Sequence, residues 1–244
     1  RMVCMLHASN LTGTIMPITE IGKICRENGL VFLVDSAQTA GVLPLDVEAQ
    51  YIDLLAFTGH KGLLGLQGTG GLYVSSGIEI KPLKEGGTGS FSEHLQHPAF
   101  MPDRLESGTP NTPGIVGLLT GVEFILQTGR ENIHRHEQEL TEMLLDGLRE
   151  IKGIKIYGPH DSKRQTAVIA FNIDDVDCGE LSMQLDYQYG IVTRSGLHCT
   201  PLGHQTIGTL ESGSCRLSPG YFTTKEEIEM VIKAVYGISK QTGG

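Results

Sequence analysis

A chain of 244 residues with 39% hydrophobic and 19% charged residues has enough apolar side chains for a core, and it lacks the repeats or low-complexity tracts of a solenoid or disordered protein. Its formal net charge of -9 excludes a general nucleic-acid surface, which needs a basic stripe, so any anion site has to be local. Five scattered cysteines (Cys4, Cys25, Cys178, Cys199, Cys215), odd in number and without CxxC spacing, fit neither a disulfide framework nor a zinc site. No metal is therefore expected. With no signal peptide, lipidation motif or membrane-length apolar run visible, the expected setting is a reducing cytoplasm without a membrane partner.

The chain opens directly on an apolar, strand-like run, RMVCMLH, headed by Arg, and is expected to have an upstream part. PITEIGKICRENG follows with Ile18, Ile21, Ile24 and Cys25 at helical spacing and Gly29 as a stop. LVFLVD, YIDLLAF and GGLYVS then read as strands, so the first half predicts an α/β fold with a mostly parallel sheet covered by helices. The segment from Gly86 to Pro113 is rich in Gly, Pro, Ser and Thr and reads as a long functional or partner-contacting loop. A long helical pattern runs on to about Ile151 with a break near Gly129. The rest predicts a smaller α+β domain: strand TAVIAFNI, helix CGELSMQLDYQYG, strands IVTRSG and SCRLSPG, and a last helix started by Thr224 with Glu226 and Glu227. The domains are expected at 1–128 and 129–244.

Polar groups collect at strand carboxyl ends, the edge where open α/β sheets bind ligands. In FTGHKGLLG, Lys61 is either a solvated loop charge or an amine held for imine chemistry with an aldehyde cofactor, and the local stretch leaves both readings open. VDSAQTAG supplies the second feature. Asp35 alone reads as a helix cap, but paired with Lys61 it suits the ring nitrogen of pyridoxal phosphate, whose protonated ring needs a carboxylate partner. Gln38 is then placed for the ring oxygen, and Thr58 and His60 for the phosphate.

HASNLTGT, VDSAQTAG, FTGHKGLLGLQGTGGLYV, ESGTPNTPGI, RSGLHC and CRLSPGYFTTKEEI occur in this order in class V, fold type I pyridoxal-phosphate enzymes. Essentially the whole chain resembles the cysteine desulfurase and selenocysteine lyase branch of that group. The resemblance implies a partial fold type I large domain followed by the small domain, with Lys61 as the cofactor-bonding lysine and Asp35, Gln38, Thr58 and His60 as cofactor ligands. It also implies that Asn10 lies near the cofactor oxygen and the substrate carboxylate, and that Arg216, with Arg194 near the substrate, grips that carboxylate through its planar fork. Thr88 in GGTGS matches a loop that reaches the phosphate of a neighbouring subunit, implying a homodimer.

Cys199 in RSGLHC matches the desulfurase nucleophile, with His198 and Arg194 close by in sequence. The implied reaction takes L-cysteine (or selenocysteine) to alanine, leaving a persulfide on Cys199 for a sulfur-acceptor or iron-sulfur scaffold protein. The family's upstream phosphate-binding loop and ring-stacking residue lie outside this sequence, so weak cofactor binding by this stretch is expected. The glycine-rich, polar run TPLGHQTIGTLESGS after Cys199 leaves open how close the thiol comes to substrate. A class V aminotransferase or lyase that does not use Cys199 is the alternative, and a truncated, non-catalytic partner protein is a second.

Overall fold

The computed structural model describes residues 1–91 and 93–242. Its first sheet has the order β1 (Met2–Leu6), β2 (Val31–Asp35), β3 (Leu54–Thr58), β4 (Gly70–Val74). The β1–β2 and β2–β3 pairs are parallel, whereas β4 returns antiparallel to β3, pairing Thr58 with Gly70. The antiparallel edge follows from connection length: the link from β3 to β4 holds no helix, and a parallel return needs a crossover.

Between β1 and β2 runs α1 (Ile18–Glu27), which seats Ile18 and Cys25 on Phe32 and Val34 of β2, both fully buried. Helical spacing predicted Ile24 for the same face, but Ile24 is 51% exposed and Gly22 takes its place at the sheet side. The backbone carbonyl of Gln50 crowds Gly22, so the chain passes too close for a side chain there.

The expected break at Gly129 separates α2 (Thr112–Thr128) from α3 (Arg130–Arg149), with Gly129 at φ 85°, a left-handed conformation suited to glycine. Asn111 caps α2 by accepting from Gly114 N at 3.2 Å. The segment from 86 to 113 is irregular where described, apart from a 3-10 turn at Asp103–Leu105.

A second, fully antiparallel sheet has the order β5 (Ile154–Tyr157), β6 (Ile169–Ile173), β8 (Ser214–Leu217), β7 (Arg194–Gly196). α3, α4 (Cys178–Tyr189) and α6 (Lys225–Thr242) pack Leu144, Leu148, Leu181, Leu185, Val235 and Ile238 against its face around Phe171. Asp177 caps α4 through Gly179 N (2.8 Å) and Glu180 N (3.1 Å). At the start of α6 the Thr224 hydroxyl accepts from Glu227 N (3.2 Å) and the Glu227 carboxylate from Thr224 N (2.8 Å), a reciprocal cap.

Two elements went unread in the sequence. β5 is only four residues long, and the helix α5 (Pro201–Ile207) lies inside the glycine-rich run that reads as loop. Among the described residues no helix is long and apolar enough to cross a membrane.

Candidate active site

The carboxyl ends of β2 and β3 carry the first half of the site. Beyond β2, Ser36 Oγ donates to Ala56 O of β3 at 2.9 Å and Ala37 N donates to Asp35 Oδ1 at 2.9 Å, which folds Gln38 back over the sheet edge. Beneath the turn lies His7, buried, with Nδ1 2.9 Å from the Thr39 hydroxyl; burial pushes its imidazole down to about 4, so it is neutral near pH 7.

Beyond β3, Gly65 N donates to Gly59 O at 2.7 Å and Leu64 N to Lys61 O at 2.8 Å, curling the chain so that Lys61 faces the cleft. A Cβ at Gly62 would sit 2.6 Å from Ala40 O, so glycine is what lets the lysine loop lie against the Gln38 turn. Thr58 Oγ1 and His60 Nδ1 are 2.8 Å apart beside Lys61.

The second half comes from the other sheet. β7 and β8 pair Arg194 with Arg216 in register. The half-buried Arg216 donates from Nη1 to Asn10 O at 2.7 Å, while its Nε is buried without a partner among the described residues. Burial and then the like charge of Arg194 lower its pKa from the usual value, and Cys199 acts in the opposite sense. The Arg216 side chain nonetheless lines the cleft, where a guanidinium can pair with a carboxylate. Arg194 Nη2 donates to the exposed Cys199 sulfur at 3.1 Å. Asn10 Nδ2 donates to His198 O at 2.7 Å, tying the end of β1 to the turn that carries the thiol.

These pieces enclose a cleft of about 470 Å3 between the two sheets, lined by Asn10, Gln38, Lys61, Arg194, Cys199 and Arg216. Asp35, Thr58 and His60 do not line it and stand at the strand ends that carry Gln38 and Lys61. Thr88 lies elsewhere. It shares a larger hollow of about 820 Å3 formed by its own loop, between Glu85 and Pro98, and bonds locally to Ser90. The larger hollow draws on one segment only, whereas the smaller cleft gathers charged groups from both sheets, so the chemistry points to the latter.

The donor set fits pyridoxal phosphate chemically: an amine for the aldehyde, a carboxylate on the same sheet edge for the ring nitrogen, an amide for the ring oxygen, and a hydroxyl with an imidazole for phosphate. Asp35 Oδ1 is engaged by Ala37 N, a bond that orients the carboxylate.

Sequence reasoning missed several contributors to the cleft, among them Glu137 of α3, Thr166–Val168 before β6, and Tyr221 and Phe222 beyond β8. Glu137 sits in the polar-looking stretch HRHEQEL, where nothing in the pattern distinguishes it from a solvated helix face. Burial raises its carboxyl to about 7, and the Tyr221 backbone N–H acts in the opposite sense. His198, noted only as a neighbour of Cys199, is buried, with 2% exposure.

The Aminotransferase class-V family matches residues 1–231. A probable cysteine desulfurase of Methanothermobacter thermautotrophicus is 36% identical over 236 residues, covering 95% of this chain and 58% of that protein. A cysteine desulfurase of Shigella sonnei is 35% identical, covering 100% of this chain and 59% of that one. Among solved structures, the apo cysteine desulfurase of Thermococcus onnurineus superposes with a TM-score of 0.87 at 30% identity, over 98% of this chain and 60% of its own. The Escherichia coli cysteine desulfurase CsdA, in an S-sulfonic acid form, gives 0.85 at 26% identity, over 99% and 59%. The chain thus spans less than two thirds of the length of these relatives.

Proposed function

We propose, from the premise that this chain belongs to the aminotransferase class-V family, that the whole protein is a pyridoxal-phosphate-dependent cysteine desulfurase. The observation that carries this reading is the Cys199 sulfur, held 3.1 Å from Arg194 Nη2 in the cleft that also holds Lys61 and Arg216. A lyase or aminotransferase needs no thiol there.

Lys61, Asp35, Gln38, Thr58 and His60 would hold the cofactor, which when bound supplies an aldehyde to join amines and a protonated ring that draws electrons from the substrate α-carbon. Arg216 and Asn10, which both line the cleft, bind the substrate carboxylate. Lys61 Nζ takes the α-proton as general base. The Cys199 sulfur then attacks the substrate sulfur: a sulfur–sulfur bond forms, the carbon–sulfur bond breaks with its electron pair passing to carbon, and a proton there completes alanine. The persulfide on Cys199 is exposed, as transfer to an acceptor protein requires. A homodimer with Thr88 at the subunit contact, a sulfur-acceptor or iron-sulfur scaffold partner and a cytoplasmic setting belong to the same proposal.

The test is Cys199→Ser in the full-length protein. Loss of persulfide and of alanine formation, with the cofactor absorbance retained, supports it. Unchanged sulfide release from L-cysteine assigns the protein to the lyases instead.

A further inference from the structure

We infer that His198 is a positioning residue that aims the Cys199 thiol, by pegging the turn that carries it into the second sheet. The inference rests on the reading of Cys199 as the residue that accepts sulfur.

His198 and Cys199 have consecutive positive φ angles of 50° and 60°. Neither is glycine, and side chains with a Cβ persist in the left-handed region only where their surroundings over-determine it. Three contacts do so here. The buried His198 ring places Nε2 3.0 Å from Ser214 O and 3.1 Å from Ser214 Oγ on β8. Its own carbonyl accepts from Asn10 Nδ2 at 2.7 Å, from the far side of the cleft. Thr200 N donates to Leu197 O at 2.9 Å and closes the turn, after which Pro201 begins α5.

α5 contributes the backing for the peg. The ring of His204, fully buried, lies 5.4 Å from that of His198 at 31°, and its Nδ1 is 2.7 Å from the Thr209 hydroxyl. Two imidazoles thus stand together between α5 and β8, on the turn that leads into Cys199 and out of it.

The bond to Ser214 O requires the proton on Nε2, because a carbonyl can only accept. Nδ1 is then the unprotonated nitrogen, and it is buried without a hydrogen-bond partner among the described residues. A second proton would create a buried N–H without a partner among the described residues; burial opposes it most, and the charges of Arg216, His204 and Arg194 oppose it further. The peg is a neutral, single-tautomer imidazole. It holds Cys199 where Arg194 Nη2 reaches its sulfur, while Lys61, Gln38 and Arg216 stand on other elements.

Removing the peg should separate two events that share one cleft: substrate binding at Lys61 and Arg216, and sulfur capture at Cys199. The experiment compares His198→Ala, His198→Gln and His198→Asn in the full-length, cofactor-loaded protein. A glutamine amide can reach Ser214 O as Nε2 does, whereas asparagine is too short. In His198→Ala and His198→Asn the absorbance change on adding L-cysteine stays within about twofold, while persulfide formation on Cys199 falls about tenfold or more, as expected for a reacting group displaced by about an ångström. His198→Gln recovers most of the loss.

Independently of turnover, the rate of Cys199 alkylation by iodoacetamide, expressed as a ratio to the rate for free L-cysteine, changes in the alanine and asparagine variants and returns in the glutamine variant. Persulfide formation and an alkylation ratio in His198→Ala that both match the wild type would overturn the inference. If the alanine variant does not fold, equal behaviour of the glutamine and asparagine variants overturns it. Absence of any persulfide on Cys199 in the wild type would instead defeat the functional reading, and the alkylation ratio would still report on the peg.

Discussion

Arg216 and Asn10, 206 residues apart in sequence, are joined by a guanidinium-to-carbonyl hydrogen bond of 2.7 Å that ties the second sheet to the end of the first. The bond holds the arginine in place by one nitrogen while the side chain lines the cleft, its Nε buried and without a partner among the described residues. Its neighbour across the β7–β8 pair, Arg194, is committed to the Cys199 sulfur. In the proposed reaction the two guanidiniums divide the work, one for the substrate carboxylate and one for the thiol.

Replacing Arg216 with Lys keeps the charge and loses the fork. The KM for L-cysteine should rise roughly thirty-fold, the equivalent of about 2 kcal/mol for a charge-assisted pair, with kcat less affected. Steady-state alanine formation in the full-length protein measures it. An unchanged KM would remove Arg216 from carboxylate binding.

Lys61→Ala should abolish borohydride trapping of the cofactor on the full-length protein and lower kcat about a thousand-fold, the range for a lost general base. Mass spectrometry of the reduced protein locates the adduct. An adduct on any other lysine contradicts the assignment.

At Gly62 an added methyl meets Ala40 O at 2.6 Å and Val42 Cγ2 at 3.0 Å, so Gly62→Ala must push the lysine loop away from the Gln38 turn. Destabilisation of about 1–3 kcal/mol is expected, a fall of several degrees in Tm, together with weaker cofactor binding. Thermal unfolding and cofactor titration read the two effects separately.

Stability should respond to pH through two buried histidines and the partly buried Glu137. His7 and His198 are pushed down to about 4, so between the unfolded histidine value of 6.5 and pH 4 the unfolded chain binds more protons and stability falls as pH falls. Glu137 has the opposite sign: raised from 4.5 to about 7, it makes the folded chain bind more protons in that window, so its contribution falls as pH rises through it. Glu137→Gln should therefore stabilise the protein at pH 8 by on the order of 2 kcal/mol and change nothing at pH 4. Denaturant unfolding at the two pH values checks it, and equal gains at both would refute a titrating Glu137.

The placement of the first half of the candidate site was legible because it is local in sequence. Asp35 and Gln38 share one turn, Thr58, His60 and Lys61 another, and the parallel β2–β3 pair brings the two turns side by side. The Gly129 break, the Asp177 cap and the Thr224–Glu227 cap depend on neighbouring residues alone, and the first and last had recognisable signals in the chain. Helical spacing also predicted a sheet-facing Ile24, and there the close passage of the Gln50 backbone overrode it by turning Gly22 inward.

By itself, then, the sequence determined the α/β first half, the class-V motif order and the residue types able to hold a cofactor, because periodicity and turn chemistry act over a few residues. Tertiary structure alone decided that Arg216 meets Asn10, that Arg194 reaches Cys199, that His198 is buried against Ser214, and that Glu137 enters the cleft from α3. Each of these depends on how the second sheet docks against the first, a matter of long-range packing and desolvation that no local pattern encodes.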